Sequence, residues 1–373
     1  MLEFIGDYAS CKVMIDNIET EAISQIYRFL NCPAFEGSNI RVMPDCHYGA
    51  GAVIGFTGTL TDKVIPNVIG VDTGCGVLAY KIGQIDYNAE LLKNLDLHIR
   101  KTVPSGFSVH SDLDRHIDST SDDYRRVALE TDQDDGRVVR SLGSLGGGNH
   151  FIELDQDVTT KDIWLTIHSG ARNFGLKVAL FHQSRAVKTV GKGHGLDWLE
   201  GDDAEYYFQH LKIAQRYAAE NRRIMAKRIL QFFGVNIKNL ESVESVHNYI
   251  DFNDRIIRKG AISAQKDQRV IIPWNMRDGL IIGKGKGNPD WNYSAPHGAG
   301  RVLGRGQAKR TLDMEEYKES MLGVWSSCVS QDTIDESPMA YKDCEMIKEA
   351  IKDTVDIELV LKPIYNFKAG GKD

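Results

Sequence analysis

Glycine recurs beside most of the residues in this chain that carry chemistry, and that placement limits what the chain can fold into. Cys75 lies in Val71-Asp72-Thr73-Gly74-Cys75-Gly76 and His150 follows Gly146-Gly147-Gly148-Asn149. His168 runs into Ser169-Gly170-Ala171-Arg172, and His297 opens His297-Gly298-Ala299-Gly300-Arg301. Glycine lets the backbone turn sharply or approach a ligand closely. Such segments suit short strands ended by tight turns, with the reactive side chain held at the turn. His247, followed by Asn248, closes another strand-like run.

The apolar pattern predicts a strand near Val13 and a helix from Ile18 to Leu30, then a β-rich block with strands at 52–60, 64–71 and 77–82. Asp72 and Cys75 would then share the turn between two strands. Helices are expected at 88–100, 177–190 and 202–233. The last of these places Tyr207, Leu211, Ala214, Ala218, Met225 and Ile229 on one face. Strands follow at 151–154, 163–167, 245–249, 261–265, 270–273, 280–282 and 357–361, with helices at 313–324 and 342–352; the stretch 104–148 reads as polar and acidic. There is no clear linker, repeat or low-complexity tract, and 42% hydrophobic residues among 373 support a substantial core. The expected class is α+β: one domain over residues 1–373, mixed sheets around a central cleft, and helices on the flanks.

A formal charge of −7, from 45 basic and 52 acidic residues, argues against a protein that coats nucleic acid nonspecifically. A local basic site is still open, because Arg301, Arg305, Lys309 and Arg310 follow His297 closely. The amino terminus does not resemble a secretory signal, and no stretch is apolar enough to span a bilayer, so no membrane role is expected. Six cysteines far apart, with no CxxC pair, fit a reduced cytoplasmic setting.

Thiolate, carboxylate and imidazole together are the donors of a transition-metal centre, and by ligand type they point first to zinc, then to manganese. Each residue alone is weaker: a cysteine beside a strand is ordinarily a small buried hydrophobe. Histidines at several strand ends are harder to dismiss. In His297-Gly298-Ala299-Gly300-Arg301, small neighbours open space around an imidazole and an arginine is placed to grip phosphate, which suits a nucleophile attacking phosphorus. Its blander reading is a surface turn. No Walker or dinucleotide fingerprint is present. His98, His182, His210, His110 and His116 read as structural or solvated, His194 is unassigned, and His47 is a candidate for contacting substrate.

Taken in order, the motifs PDCHYGAGAVIG (44–55), GVDTGCG (70–76), LGGGNHFIE (145–153), HSGAR (168–172), HN (247–248), RKGA (258–261), PHGAGR (296–301) and the tail lysine Lys368 resemble those of the RtcB-type RNA ligases, which guanylylate themselves in tRNA splicing and RNA repair. The resemblance runs almost end to end. It implies that His297 attacks the α-phosphate of GTP and that two Mn ions are held by Asp72, Cys75, His150, His168 and His247, with Cys75 between them. It also implies a nucleotide pocket of Asn149, His150, Glu153, His247, Asn248, Pro273, Trp274, Asn275, Met276, His297, Gly298, Ala299, Gly300 and Lys368. Arg172, Arg301 and Arg305 would hold RNA or triphosphate oxygens. The implied substrates are GTP and RNA with a 3′-phosphate or 2′,3′-cyclic phosphate at one end and a 5′-hydroxyl at the other, with an archease-type activator as a further partner.

Trp274-Asn275 stand where that family usually has a small Gly-Ser pair, and Leu280 stands where a serine is expected at the nucleotide. Asn173-Phe174 follow HSGAR where a small residue is usual. These departures fit a repair-type or divergent ligase as readily as a tRNA-splicing one. Two other classes compete: a metal-dependent phosphoesterase that uses the Asp/Cys/His cluster without nucleotide, and a non-catalytic RNA-end binding protein whose pocket Trp274 and Leu280 have closed.

Overall fold

Strands rich in Ile, Val and Leu pair into two large sheets, and the helices cover them. The computed structural model describes residues 1–70, 72–112, 121–191 and 195–369, so His116 and His194 lie outside the described residues. The six-stranded sheet runs Leu2–Ile5, Ser10–Val13, Ile40–His47, Ile54–Thr59, Ile256–Lys259 and Asn248–Asp251 in space. The seven-stranded sheet runs Ser242–Val246, Gly76–Gly83, Ile163–Ser169, Phe151–Asp157, Val355–Phe367, Gly279–Gly285 and Arg269–Asn275. Its neighbouring strands are all antiparallel, whereas Ser10–Val13 lies parallel to Ile40–His47 in the other sheet. The α+β class expected from the sequence is what the chain adopts. No helix among the described residues is long and apolar enough to cross a membrane.

The helix Gly201–Leu230 joins the two halves of the core. Its predicted apolar face is buried along its whole length. Tyr207 and Leu211 pack with Phe29, Val42 and Phe56 under the six-stranded sheet, while Met225 and Ile229 pack with Leu78, Leu165 and Ile167 under the seven-stranded one. Burying such a side chain fully is worth about 1.5–3 kcal/mol, so this helix locks the sheets against each other.

Several expected elements are different. Residues 64–71 do not form one strand: Lys63–Val64 is a short strand and Pro66–Ile69 a helical turn. Proline at its first position has the right φ and needs no hydrogen-bond acceptor. Asp72 and Cys75 therefore lie between a helical turn and the strand Gly76–Gly83. The acidic stretch 104–148 contains the helices Ser121–Glu130 and Asp135–Arg140, the second capped by Asp134 accepting from Arg137 N at 2.8 Å. The last strand spans 13 residues, Val355–Phe367, and lies inside the sheet. Pro363 falls within it, and the ladder accommodates that residue where the register shifts.

Candidate metal and nucleotide site

The sheet register assembles the ligand set. Cys75 precedes Gly76–Gly83, His168 lies in Ile163–Ser169, His150 precedes Phe151–Asp157, and His247 follows Ser242–Val246. These are four adjacent antiparallel strands. Pairings of Val246 with Gly76, Gly76 with Ser169 and Phe151 with His168 bring all four side chains to one end of the sheet. Cys75 Sγ lies 3.3 Å from His150 Nε2 and 3.1 Å from His168 Nε2. His168 Nε2 is 3.2 Å from His247 Nε2, and His150 Nε2 is 3.2 Å from Asp72 Oδ2. The donors form two groups, Cys75/His168/His247 and Asp72/Cys75/His150, that share the thiol. Gly170 belongs to this geometry, since a Cβ there would lie 2.2 Å from Asp72 Oδ1.

Buried and convergent lone pairs of this kind fit a cation. Burial pushes the Cys75 thiol well up, and the charge of Asp72 adds to this; a bound metal ion would reverse it by favouring the thiolate. Burial also holds His168 and His247 well below the ordinary imidazole range, so both are neutral imidazoles able to ligate a cation. Asp72 stays ionised: burial opposes its charge, but His150 beside it carries its carboxyl far below the usual range. His168 Nδ1 is 3.1 Å from Asn149 O, which fixes the tautomer and leaves the Nε2 lone pair available to a cation.

His297 follows the short strand Ser294–Pro296, which pairs with Ala261–Ser263. Its Nδ1 is 2.6 Å from Asp45 Oδ2, and its backbone N–H donates to the same oxygen at 3.2 Å. Asp45 is completely buried. Its carboxylate accepts a hydrogen bond from Nδ1–H, the tautomer that leaves Nε2 with a bare lone pair. The ring of His297 lies 4.7 Å, centroid to centroid, from that of His247, placing the imidazole beside the metal ligands. Gly300 has φ +76°, and a Cβ there would meet Asp45 O at 2.3 Å, so PHGAGR can pack on the Asp45 strand only with glycine at this position.

These residues face a cavity of about 570 Å³. Asp72, His168, His247 and His297 lie along its wall with Glu153, Trp274 and Lys368. Lys368 Nζ reaches Asn149 O at 3.4 Å and Glu336 Oε2 at 3.3 Å. Buried Glu336 also holds Arg305 at 2.5 Å and Arg301 at 3.2 Å. Burial opposes its charge, but Lys368, Arg305 and Arg301 hold its carboxyl far below the usual range.

A family model described as tRNA-splicing ligase RtcB matches residues 25–369. This chain belongs to the RtcB family. It is 29% identical to RNA-splicing ligase RtcB of Escherichia coli K12, over 94% of this chain and 95% of that one. It is 25% identical to tRNA-splicing ligase RtcB of Methanococcus maripaludis, over 92% and 90%, and 27% identical to that of Archaeoglobus fulgidus, over 90% and 88%.

Of the RtcB-like pocket residues expected from sequence, all but His150 line the large cavity, as do Arg301 and Arg305. His150 and Arg172 line a neighbouring one. Arg172 has φ +56°, a backbone state costing a non-glycine residue roughly 1–2 kcal/mol, and its guanidinium reaches Gly106 O and Ser144 Oγ. Leu280 is not at the nucleotide position: it is fully buried with Val77, Trp164 and Ile271, because strand alternation turns it to the opposite face. Trp274 does line the cavity, at the bulge between Pro273 and Asn275 that breaks the ladder. Its buried indole N–H has no partner among the described residues. His47 lines the cavity too, with Nδ1 2.9 Å from Asp45 O, and burial lowers its pKa to about 4. His98, His110, His182 and His210 are engaged in hydrogen bonds away from the metal ligands.

Sequence reasoning missed Asp45, Glu336, and two polar residues on the long helix. Asn221 Oδ1 accepts from Gly143 N at 2.7 Å, and its amide donates to Gly170 O at 3.2 Å. Fully buried Arg222 donates to Gly74 O at 2.8 Å, Ser169 O at 2.7 Å and Glu244 at 2.8 Å. One helical turn thus pins three of the site's loops. Arg222→Ala should lose roughly 3 kcal/mol of stability in denaturant unfolding, the low end for a buried pair because Glu244 keeps some solvent; a loss under about 1 kcal/mol would contradict this role.

Proposed function

We propose that this chain is an RNA ligase that joins a 3′-phosphate or 2′,3′-cyclic phosphate end to a 5′-hydroxyl end, using GTP and a guanylyl group carried on His297. The carrying observation is a carboxylate-oriented imidazole that shares one cavity with Asp72, His168 and His247 of the candidate metal group. His297 Nε2 attacks the α-phosphorus of GTP; the N–P bond forms, the P–O bond to the β-phosphate breaks, and pyrophosphate leaves with the electron pair. Asp45 holds the Nδ1 proton and stabilises the positive charge on the substituted ring. An oxygen of the RNA 3′-phosphate then takes the guanylyl phosphorus, and His297 recovers its lone pair. Finally the 5′-hydroxyl oxygen bonds to the 3′-phosphorus, GMP departs, and the hydroxyl proton passes to solvent. A cyclic phosphate is first opened by water.

Two divalent ions at the paired groups would neutralise phosphate charge and polarise the α-phosphorus. Asp72, Cys75, His150, His168 and His247 would hold them, with Cys75 common to both. Thiolate and imidazole alone favour zinc; Asp72 and triphosphate oxygens shift the preference toward manganese. Lys368, Glu153 and Trp274 line the same cavity as His297 and would contact the base. Incubation with Mn and α-labelled GTP should leave label on the protein, and adding RNA with the stated ends should give a joined product. Protein that takes up no label with Mn or with Zn would sink the reading.

A further inference from the structure

A second cavity, of about 560 Å³, meets the first at a wall shared by Asp72, Asn149, Arg305 and Glu336. His297 lies on one side of that wall and His150 on the other. The second cavity is also lined by the turn at Gly106, Phe107 and Val109, none of which lines the first, and the nucleotide chemistry leaves that turn unused.

Phe107 is 66% exposed, yet its backbone is fastened. Leu145 N donates to Pro104 O at 2.8 Å and Gly106 N to Leu145 O at 3.0 Å. Arg137 Nη2 donates to Phe107 O at 2.8 Å, and Arg172 Nη2 to Gly106 O at 2.5 Å. The fold thus holds an aromatic ring in solvent on a pinned turn at the mouth of a cavity. Arg137, Arg172, Arg305 and Lys309 line the same space. Arg305 and Lys309 are matched by Asp335, whereas Arg137 bonds a neutral carbonyl and has no carboxylate partner among the described residues.

Arg172 bonds the Gly106 carbonyl beside Phe107 and meets His150 at Gly146, so a single strand entering past Phe107 would meet a π-face, then cations, then the candidate metal ligands: bases stack on aromatic rings and phosphates follow the cations. We propose that this second cavity takes the single-stranded terminal nucleotides of the RNA substrate, with Phe107 stacking on a base and Arg137 pairing with a nearby phosphate. The terminal phosphate is thereby led to the Asp72/His150 end. The proposal rests on the ligase reading above and adds the path of the strand.

The test uses the full chain, Mn, and a fluorescent single-stranded oligoribonucleotide bearing a 3′-phosphate. Base–aromatic stacking of about 1–3 kcal/mol corresponds to roughly a 5- to 150-fold weaker Kd by anisotropy for Phe107→Ala. A comparable rise in KM for end joining is expected, with label uptake from GTP kept at the parent level. Phe107→Trp should restore affinity and Phe107→Leu should not. Parent-like affinity in Phe107→Ala, rescue by leucine as good as by tryptophan, or a matching loss of label uptake would overturn the proposal. Failure of the parent protein to take up label would count against the ligase reading, and the anisotropy comparison would still decide the strand path.

Discussion

His297→Ala should take up no label from α-labelled GTP, and Asp45→Asn should take it up about a thousand- to ten-thousandfold more slowly. The second figure is the order of loss seen when the aspartate that orients a catalytic histidine becomes asparagine. The physical reason is the 2.6 Å contact between Asp45 Oδ2 and His297 Nδ1. An amide in that place can offer its own N–H to Nδ1, which moves the ring proton to Nε2 and removes the lone pair from the attacking atom. The positive charge that develops on the substituted ring also loses its counter-charge in a buried setting. Because Asp45 touches none of the metal donors, Asp45→Asn should retain the parent's metal content by elemental analysis. A loss smaller than about tenfold would mean that Asp45 merely packs against PHGAGR.

The candidate ligands are legible in the sequence and the residues that support them are not, for one reason. A ligand at a strand end, next to glycine, carries a local signal: polar chemistry where the apolar run stops. Its neighbours in space are set by strand order, and the order Ser242–Val246, Gly76–Gly83, Ile163–Ser169, Phe151–Asp157 is not sequential. Asp45 has no such local signal, and His47, two residues on, is the more conspicuous side chain. The fold buries Cys46, whose pKa burial pushes up to about 12, and gives the orienting role to the carboxylate. Asn221 and Arg222 were hidden because polar residues on a long amphipathic helix ordinarily face water. Only three loops arriving from separate parts of the chain make those positions interior. Leu280 shows the opposite error: a residue given to the pocket by motif position alone is turned into the core by strand alternation.

Cys75→Ala should be isolated without the metal that the parent carries, and should take up no label, while remaining folded. The two ligand groups share only this thiol. Without it, His168 and His247 are left as one pair and Asp72 and His150 as another, and two ligands hold an ion in water far less firmly than three. Cys75→Ser separates size from charge. Burial and the charge of Asp72 hold even a thiol protonated at this position, and a hydroxyl, with its far higher intrinsic pKa, would bind as a neutral group. Serine should therefore rescue metal content little better than alanine, despite its similar volume. Compared as metal-free proteins, parent and Cys75→Ala should differ by about 1 kcal/mol in denaturant unfolding, since only one small buried atom is lost. Elemental analysis showing parent-level metal in Cys75→Ala would mean that the imidazoles and Asp72 suffice without the sulfur, and the shared-thiolate arrangement would fall.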